Sequence, residues 1–288
     1  MGLDVNGTRA LLHARKQGVD FSRTAMIGRQ GLHLNVAALA RNLRDFGFEA
    51  AAKHAARLLS ADRGYAEPFL RLLGATEIVS FDASDFEGAS YIHDFNLPID
   101  KKFSNGFTVV LDCGSLEHIF NFPQGISNCM EMVKVGGSFV GITPANNFLG
   151  HGFYQFSPEV FFRVFSPGNG FVLRQMLAFE SMSSKWYEVI DPETIGERVT
   201  LINRRETYLL VIAQKMAAVP IFANGVQQSD YSAQWRAGQN TGHSPPRSVA
   251  GWRSLVPAPL VLAVQALRRW FPPSGGFRKR YFRRVRIP

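Results

Sequence analysis

Cysteine is scarce: the 288 residues include only Cys113 and Cys129. Two thiols exclude a disulfide framework and a four-thiolate zinc site, and they point to a reducing compartment, the cytoplasm. Long apolar runs are missing as well. Met1 to Asp20 mixes polar and charged residues and holds no apolar core of about 7–15 residues, as a secretion signal would. The longest apolar run near the C-terminus, Leu255 to Leu267, is interrupted by Pro257 and Pro259 and falls short of the ~20 residues that cross a bilayer. Acidic residues vanish after Asp230. From Tyr231 to Pro288 there are eleven of the 32 Arg and Lys residues and none of the 23 acids, so a near-neutral body precedes a strongly cationic tail. Charge of this kind bears on partners and not on the fold.

What is present is material for a core. Hydrophobic residues make up 46% of the chain and charged residues 19%, which excludes a mainly disordered or fibrous chain. The body alternates between strand and helix patterns. Thr24 to Ile27 is a short apolar run that breaks at Gly28. Leu34 to Leu59 carries Leu39, Leu43, Phe46, Ala50 and Ala51 at helical spacing, divided near Phe46-Gly47-Phe48, and Ala66 to Leu73 is a helix stopped by Gly74. Further strands are expected at Glu77–Asp82, Ser90–Asp94 and Phe107–Asp112, the last without alternation and therefore buried on both faces. A helix from about Phe122 to Met132 precedes a strand at Ser138–Thr143, and Gly170–Glu180 and Glu206–Gln214 complete the set. Strands separated by helices imply right-handed crossovers and a mostly parallel, doubly wound α/β sheet. The body is expected to span residues 1–225, followed by a basic extension, 226–288.

Three successive strand ends carry an acid: Asp82, Asp94 and Asp112. Ligands of open parallel sheets bind at the carboxyl ends of the strands, and an acid ending the second strand can accept two hydrogen bonds from a ribose. Each acid taken singly is also an ordinary helix cap. A second group of candidates is Glu117-His118 with His151. A histidine with an ordinary pKa near 6.5 can accept the proton of a hydroxyl, and a neighbouring carboxylate can orient it. Asn146, Asn147 and Tyr154 follow the fifth strand and offer amide and phenol groups suited to sugar hydroxyls or to a plain turn. His93 is read as a packing residue, and Cys113 lacks a base partner.

These pieces together resemble the class I S-adenosylmethionine-dependent methyltransferases over roughly Thr24 to Lys215. The resemblance rests on Ile78-Val-Ser-Phe-Asp82, Ile92-His-Asp94-Phe95, Val109-Val-Leu-Asp112 with Leu116-Glu117-His118, and the Val135-Gly-Gly137 turn. Within that superfamily the chain is similar to bacterial methyltransferase-domain proteins found near glycan biosynthesis functions, through Gly28-Arg29-Gln30, the run Asp82 to Ala89 and the run Pro144 to Glu159. The resemblance implies a seven-stranded Rossmann-like sheet of order 3-2-1-4-5-7-6 with strand seven antiparallel. It implies S-adenosylmethionine held by Gly28, Asp82 at the ribose, Asp94 and Phe95 at the adenine and Asp112 near the methionine end. His118 or His151 would be the base, with Glu117 beside it. It further implies O-methylation of a saccharide or glycan precursor. A resemblance to plant small-RNA 2′-O-methyltransferases makes Glu117, His118 and His151 a candidate site for a divalent cation as well.

One departure stands out. The usual Gly-x-Gly-x-Gly turn is replaced by Gly28-Arg29-Gln30-Gly31, and about 45 residues then precede the second strand, against the ~20 usual in a dinucleotide-binding unit. Either Arg29 or Gln30 reaches the cofactor carboxylate, or the turn is structural and the chain is a non-catalytic binding module. The tail has three readings. Its run Pro259–Phe271 places Leu260, Val261, Val264 and Leu267 on one face beside Arg268, Arg269 and Trp270, suited to an anionic membrane surface. Phosphate neutralisation would instead make the protein an RNA 2′-O-methyltransferase, the reading disfavoured here. The third reading is a lobe folded back on the body.

Overall fold

The computed structural model describes residues 2–231 and 276–288. The run Pro259–Phe271 and its three readings lie outside the described residues. No helix among the described residues is long and apolar enough to cross a membrane. The chain divides into two compact units, one of Met1–Val189, Arg205–Val226 and Arg284–Pro288, the other of Ile190–Arg204 and Gln227–Arg283.

The larger unit is built on a sheet whose strands follow the apolar runs of the sequence. These are β2 (Arg23–Ile27), β4 (Glu77–Asp82), β5 (Tyr91–Ile92), β6 (Phe107–Cys113), β7 (Val133–Asn146), β8 (Phe171–Glu180) and β10 (Thr207–Lys215). They lie in the order β5-β4-β2-β6-β7-β10-β8. Every neighbouring pair from β5 to β7 is parallel, and β10 runs antiparallel to both β7 and β8. Numbered as the seven expected strands, this order is 3-2-1-4-5-7-6 with the seventh reversed. The sheet is larger than expected, however. Two short strands, β9 (Trp186–Val189) and β11 (Phe282–Val285), extend it beyond β8 to nine. A separate parallel pair joins β1 (Gly2–Leu3) to β3 (Gly31–Leu32).

All seven residues of β6 are buried, as the unbroken apolar run requires of a central strand. The helical stretch after β3 resolves into α2 (Val36–Asp45), α3 (Glu49–Ala52) and α4 (Ala55–Ser60), then α5 (Glu67–Leu72). α6 (Phe122–Met132) links β6 to β7, and Lys215, 4% exposed, closes its far end. The Lys215 ammonium donates to the carbonyls of Met130 and Val133 at 3.0 and 2.9 Å and to Asn105 Oδ1 at 2.9 Å. The glycine pair Gly136-Gly137 is not a turn before the strand. It lies inside β7, beside a register shift against β6 between Phe107 and Val109.

The N-terminal segment, read as merely polar, folds into α1 (Val5–Lys16). Asp4 caps it by accepting from Gly7 N at 2.7 Å, and Ala10, Leu11, Leu12 and Ala14 are buried. The chain's last residues also belong to the larger unit. Arg9 donates to the carbonyls of Ile287 and Pro288. Residues 284–288 are thus no free basic tail. In the smaller unit, α8 (Pro192–Ile195) is capped by Asp191, and Arg198 pairs with Asp230 while Arg280 pairs with Glu197.

Candidate functional site

Parallel strands bring their carboxyl ends to one edge of the sheet. β2 ends there at Ile27, β4 at Asp82, β6 at Cys113, β7 at Asn146 and β8 at Glu180. The reversed β10 begins there at Thr207. The candidate residues fall into two groups along this edge.

The first group surrounds the turn after β2. Gly28 has φ +70° and donates to Phe81 O at 2.7 Å, a left-handed conformation that glycine adopts without strain. Its bulky neighbours are both turned into protein. Arg29 Nε donates to Glu67 Oε1 at 2.7 Å, Nη1 donates to Glu87 O at 3.0 Å, and the guanidinium lies 3.9 Å from the Tyr65 ring centre. Gln30 is 1% exposed, and its amide donates to Ile27 O and Gly28 O. Neither side chain is free for a ligand carboxylate in this conformation; both hold the turn. Among the described residues the Asp82 carboxylate receives only a long contact, 3.4 Å, from Ser84 N, and retains its accepting capacity. Asp94 accepts from Asn96 N and Nδ2 at 2.9 and 2.7 Å, which holds its carboxyl below the usual range. Phe95, expected beside an adenine, is buried with its ring edge-on to Phe81. Asp112 is buried too. Its Oδ1 accepts from Ser115 N and Leu116 N while Oδ2 has no partner. Burial pushes it well above the carboxylate range, and the nearby Glu117 adds to the effect.

The second group is the cluster at the end of β6. A single 3₁₀ turn, Leu116–His118, presents Glu117 and His118. The loop after β7 brings His151 to within 3.4 Å, Nε2 to Glu117 Oε1, and sets its ring 4.9 Å from that of His118. The approach needs a glycine. Gly152 has φ +68°, and a Cβ there would stand 2.7 Å from Glu117 O, which accepts from Phe153 N at 2.7 Å. Glu117 is 1% exposed, and its Oε2 has no partner. Burial raises its carboxyl to about 7. Burial, helped by His151, lowers the exposed His118, so that imidazole is neutral and able to accept a proton near pH 7. One donor atom from each of the three residues lies within 4.8 Å of the others, a spacing at which they could converge on one cation.

A cavity of about 170 Å³ opens beside this cluster. Its walls include Asp4, Cys113, Glu117, His151, Phe179 and Tyr208. Burial raises the Tyr208 phenol to about 12, and the negative charges of Asp4, Glu206 and Glu117 add to this. Asp4, Phe179 and Tyr208 were not singled out in the sequence. Asp4 three residues before Gly7, at the start of a helix, was the one signal that could have located the N-terminal wall. Of the residues expected at the acceptor, Asn146 ends β7 half-buried. Asn147 donates to Arg205 O at 2.8 Å, and Tyr154 donates to Phe120 O at 2.6 Å. These last two hold loops together.

No protein-family model matches the chain, and no curated protein does. Solved structures share parts of its chain trace. A methyltransferase candidate from Bacillus halodurans C-125 is 11% identical, with 72% of this chain and 99% of that chain covered and a TM-score of 0.38. An S-adenosylmethionine-dependent methyltransferase candidate from Listeria monocytogenes is 17% identical, with 72% and 98% covered and a TM-score of 0.37. TehB from Haemophilus influenzae is 11% identical, with 72% and 61% covered and a TM-score of 0.38.

Proposed function

We propose that this chain is an S-adenosylmethionine-dependent methyltransferase. The observation that carries the reading is the strand order β5-β4-β2-β6-β7-β10-β8 with β10 reversed, the arrangement that the resemblance called for. The turn after β2 fits the cofactor. Arg29 is held by Glu67 and Gln30 is folded back, buried, onto the carbonyls of Ile27 and Gly28, so both bulky side chains are engaged by protein although the customary third glycine is missing, and the Asp82 carboxylate at the end of β4 can accept ribose hydroxyls. Fold by itself does not establish chemistry; the cluster at the end of β6 supplies it.

When bound, S-adenosylmethionine supplies a methyl group activated by its sulfonium. Methyl transfer needs an acceptor in line with that carbon, so positioning does most of the work. The remaining need is a place for the acceptor's proton. Neutral His118 accepts it at the exposed end of the cluster, and Glu117 orients His151 through the 3.4 Å contact. The cluster serves as the proton acceptor, with Glu117 and His151 facing each other at 3.4 Å.

Calorimetry with S-adenosylmethionine and S-adenosylhomocysteine tests the proposal. Both are expected to bind, and Asp82→Ala is expected to weaken both at least tenfold. Absence of heat at millimolar ligand favours the non-catalytic binding module instead, and unchanged affinity in Asp82→Ala removes the ribose role.

A further inference from the structure

The cavity beside the cluster carries more than a place for a proton. It combines two carboxylates, Asp4 and Glu117, with two aromatic rings, Phe179 and Tyr208, and no Lys or Arg is among its lining residues. Asp4 Oδ1 accepts from Gly7 N at 2.7 Å as a helix cap. Glu117 is the telling residue. It is 1% exposed, it lines the cavity, and Oε2 has no hydrogen-bond partner. A buried carboxylate oxygen without a donor is destabilising unless a ligand provides one. Behind it lies Asp112, whose Oδ2 is also unpartnered. Among the described residues, the only basic side chain on the wall is His151.

An anionic acceptor would be repelled by this wall. A neutral hydroxyl would leave the carboxylates uncompensated. A positively charged group satisfies both, because it donates charge-assisted hydrogen bonds to Glu117. The Tyr208 phenol is raised chiefly by burial, and Asp4, Glu206 and Glu117 add to it. Size agrees: a cavity of about 150 Å³ takes a benzene-sized ligand, so this one accommodates one small ring or a short alkyl chain.

We propose that this cavity binds a protonated amine, and that the methyl acceptor of this protein is an amine carried on a small or side-chain-sized group. The second half rests on the methyltransferase reading; the first does not. In the reaction, the ammonium first loses a proton to the Glu117, His118 and His151 cluster. The freed lone pair then forms the N–C bond as the C–S bond of the sulfonium breaks. The products are a methylated ammonium and neutral S-adenosylhomocysteine, with the proton left on the cluster.

The test uses the full chain, dialysed against a chelator, at pH 8, with benzylamine and its neutral counterpart benzyl alcohol as calorimetric probes. The expected result is at least a tenfold preference for the amine, abolished in Glu117→Gln and reduced in Asp4→Asn, which keeps the helix cap. Affinity for S-adenosylhomocysteine is expected to be unchanged in both variants. Equal affinity for the two probes, or a preference that survives both substitutions, overturns the proposal. So does a stoichiometric divalent ion found by metal analysis before dialysis, if its removal leaves no amine preference. An amine preference lost with Glu117→Gln, in a protein that fails to bind S-adenosylhomocysteine, supports the cation site and sinks the methyltransferase reading alone.

Discussion

Glu117→Gln separates the charge of the cluster from its shape, and its effect on stability has a pH dependence fixed by the structure. Glu117 rises from 4.5 to about 7 because folding removes it from water. At about 1.4 kcal/mol for each pKa unit, the charged folded state is penalised by about 3 kcal/mol. The folded protein holds this proton to a higher pH than the unfolded chain does, so unfolding releases it. Stability from this group is therefore undiminished below about pH 4.5, declines between about 4.5 and 7, and carries the full penalty above. Gln keeps the volume and cannot ionise. Urea unfolding of the two proteins at intervals from pH 4.5 to 8 is expected to show the variant gaining on the parent by about 3 kcal/mol across that window. Asp112 works in the same direction, since removal of the Glu117 charge relieves part of its own upward displacement. Any constant offset reflects how the amide fits and is irrelevant; the slope is the readout. A stability difference independent of pH, or a parent that gains on the variant as pH rises, refutes the claim that burial raises the Glu117 carboxyl.

Two more outcomes follow from contacts already described. Lys215→Met keeps the stem and removes the ammonium that serves the Met130 and Val133 carbonyls and Asn105, so it is expected to lower stability by about 3 kcal/mol, read as a shift of the urea midpoint; an unchanged midpoint contradicts the capping role. His118→Ala is expected to lower methyl transfer by about 10²-fold with S-adenosylhomocysteine affinity retained, and full turnover clears His118 of proton acceptance.

The central strands were legible because they are buried apolar runs. Glu77–Asp82 and the helix Phe122–Met132 are found at the bounds read from the sequence, since their apolar runs end at residues that break the pattern. The order of the strands is a different matter. No run of residues states which neighbour β10 takes, and that expectation came from the resemblance. β9 and β11 escaped because four residues at a sheet edge, Trp186–Val189 or Phe282–Val285, are too short for a periodic signal. α1 escaped for another reason. Its buried face includes Asn6, Thr8 and His13, which read as surface in sequence; Thr8 Oγ1 accepts from Asn42 and His13 Nε2 pairs with Gln175.

The site shows where sequence reasoning stops. Glu117, His118 and His151 were legible by residue type, and the fold does assemble them. Arg29 and Gln30 were legible as an obstruction, yet a bulky side chain obstructs only if it points inward. Glu67, Tyr65 and the Glu87 carbonyl draw the guanidinium one way, and the carbonyls of Ile27 and Gly28 draw the amide the other. A glycine-poor turn is therefore no obstruction as long as its larger residues have partners elsewhere. The charge of the acceptor cavity was beyond reach, because it depends on distance along three separate stretches of chain. Asp4, Glu117 and Tyr208 lie far apart in sequence, and only the parallel β6 and β7, the reversed β10 and the cap of α1 bring them to one wall. That wall is what changes the expected acceptor from a sugar hydroxyl to a cation, a distinction that residue type alone had left with Asn147 and Tyr154, both of which donate to backbone carbonyls.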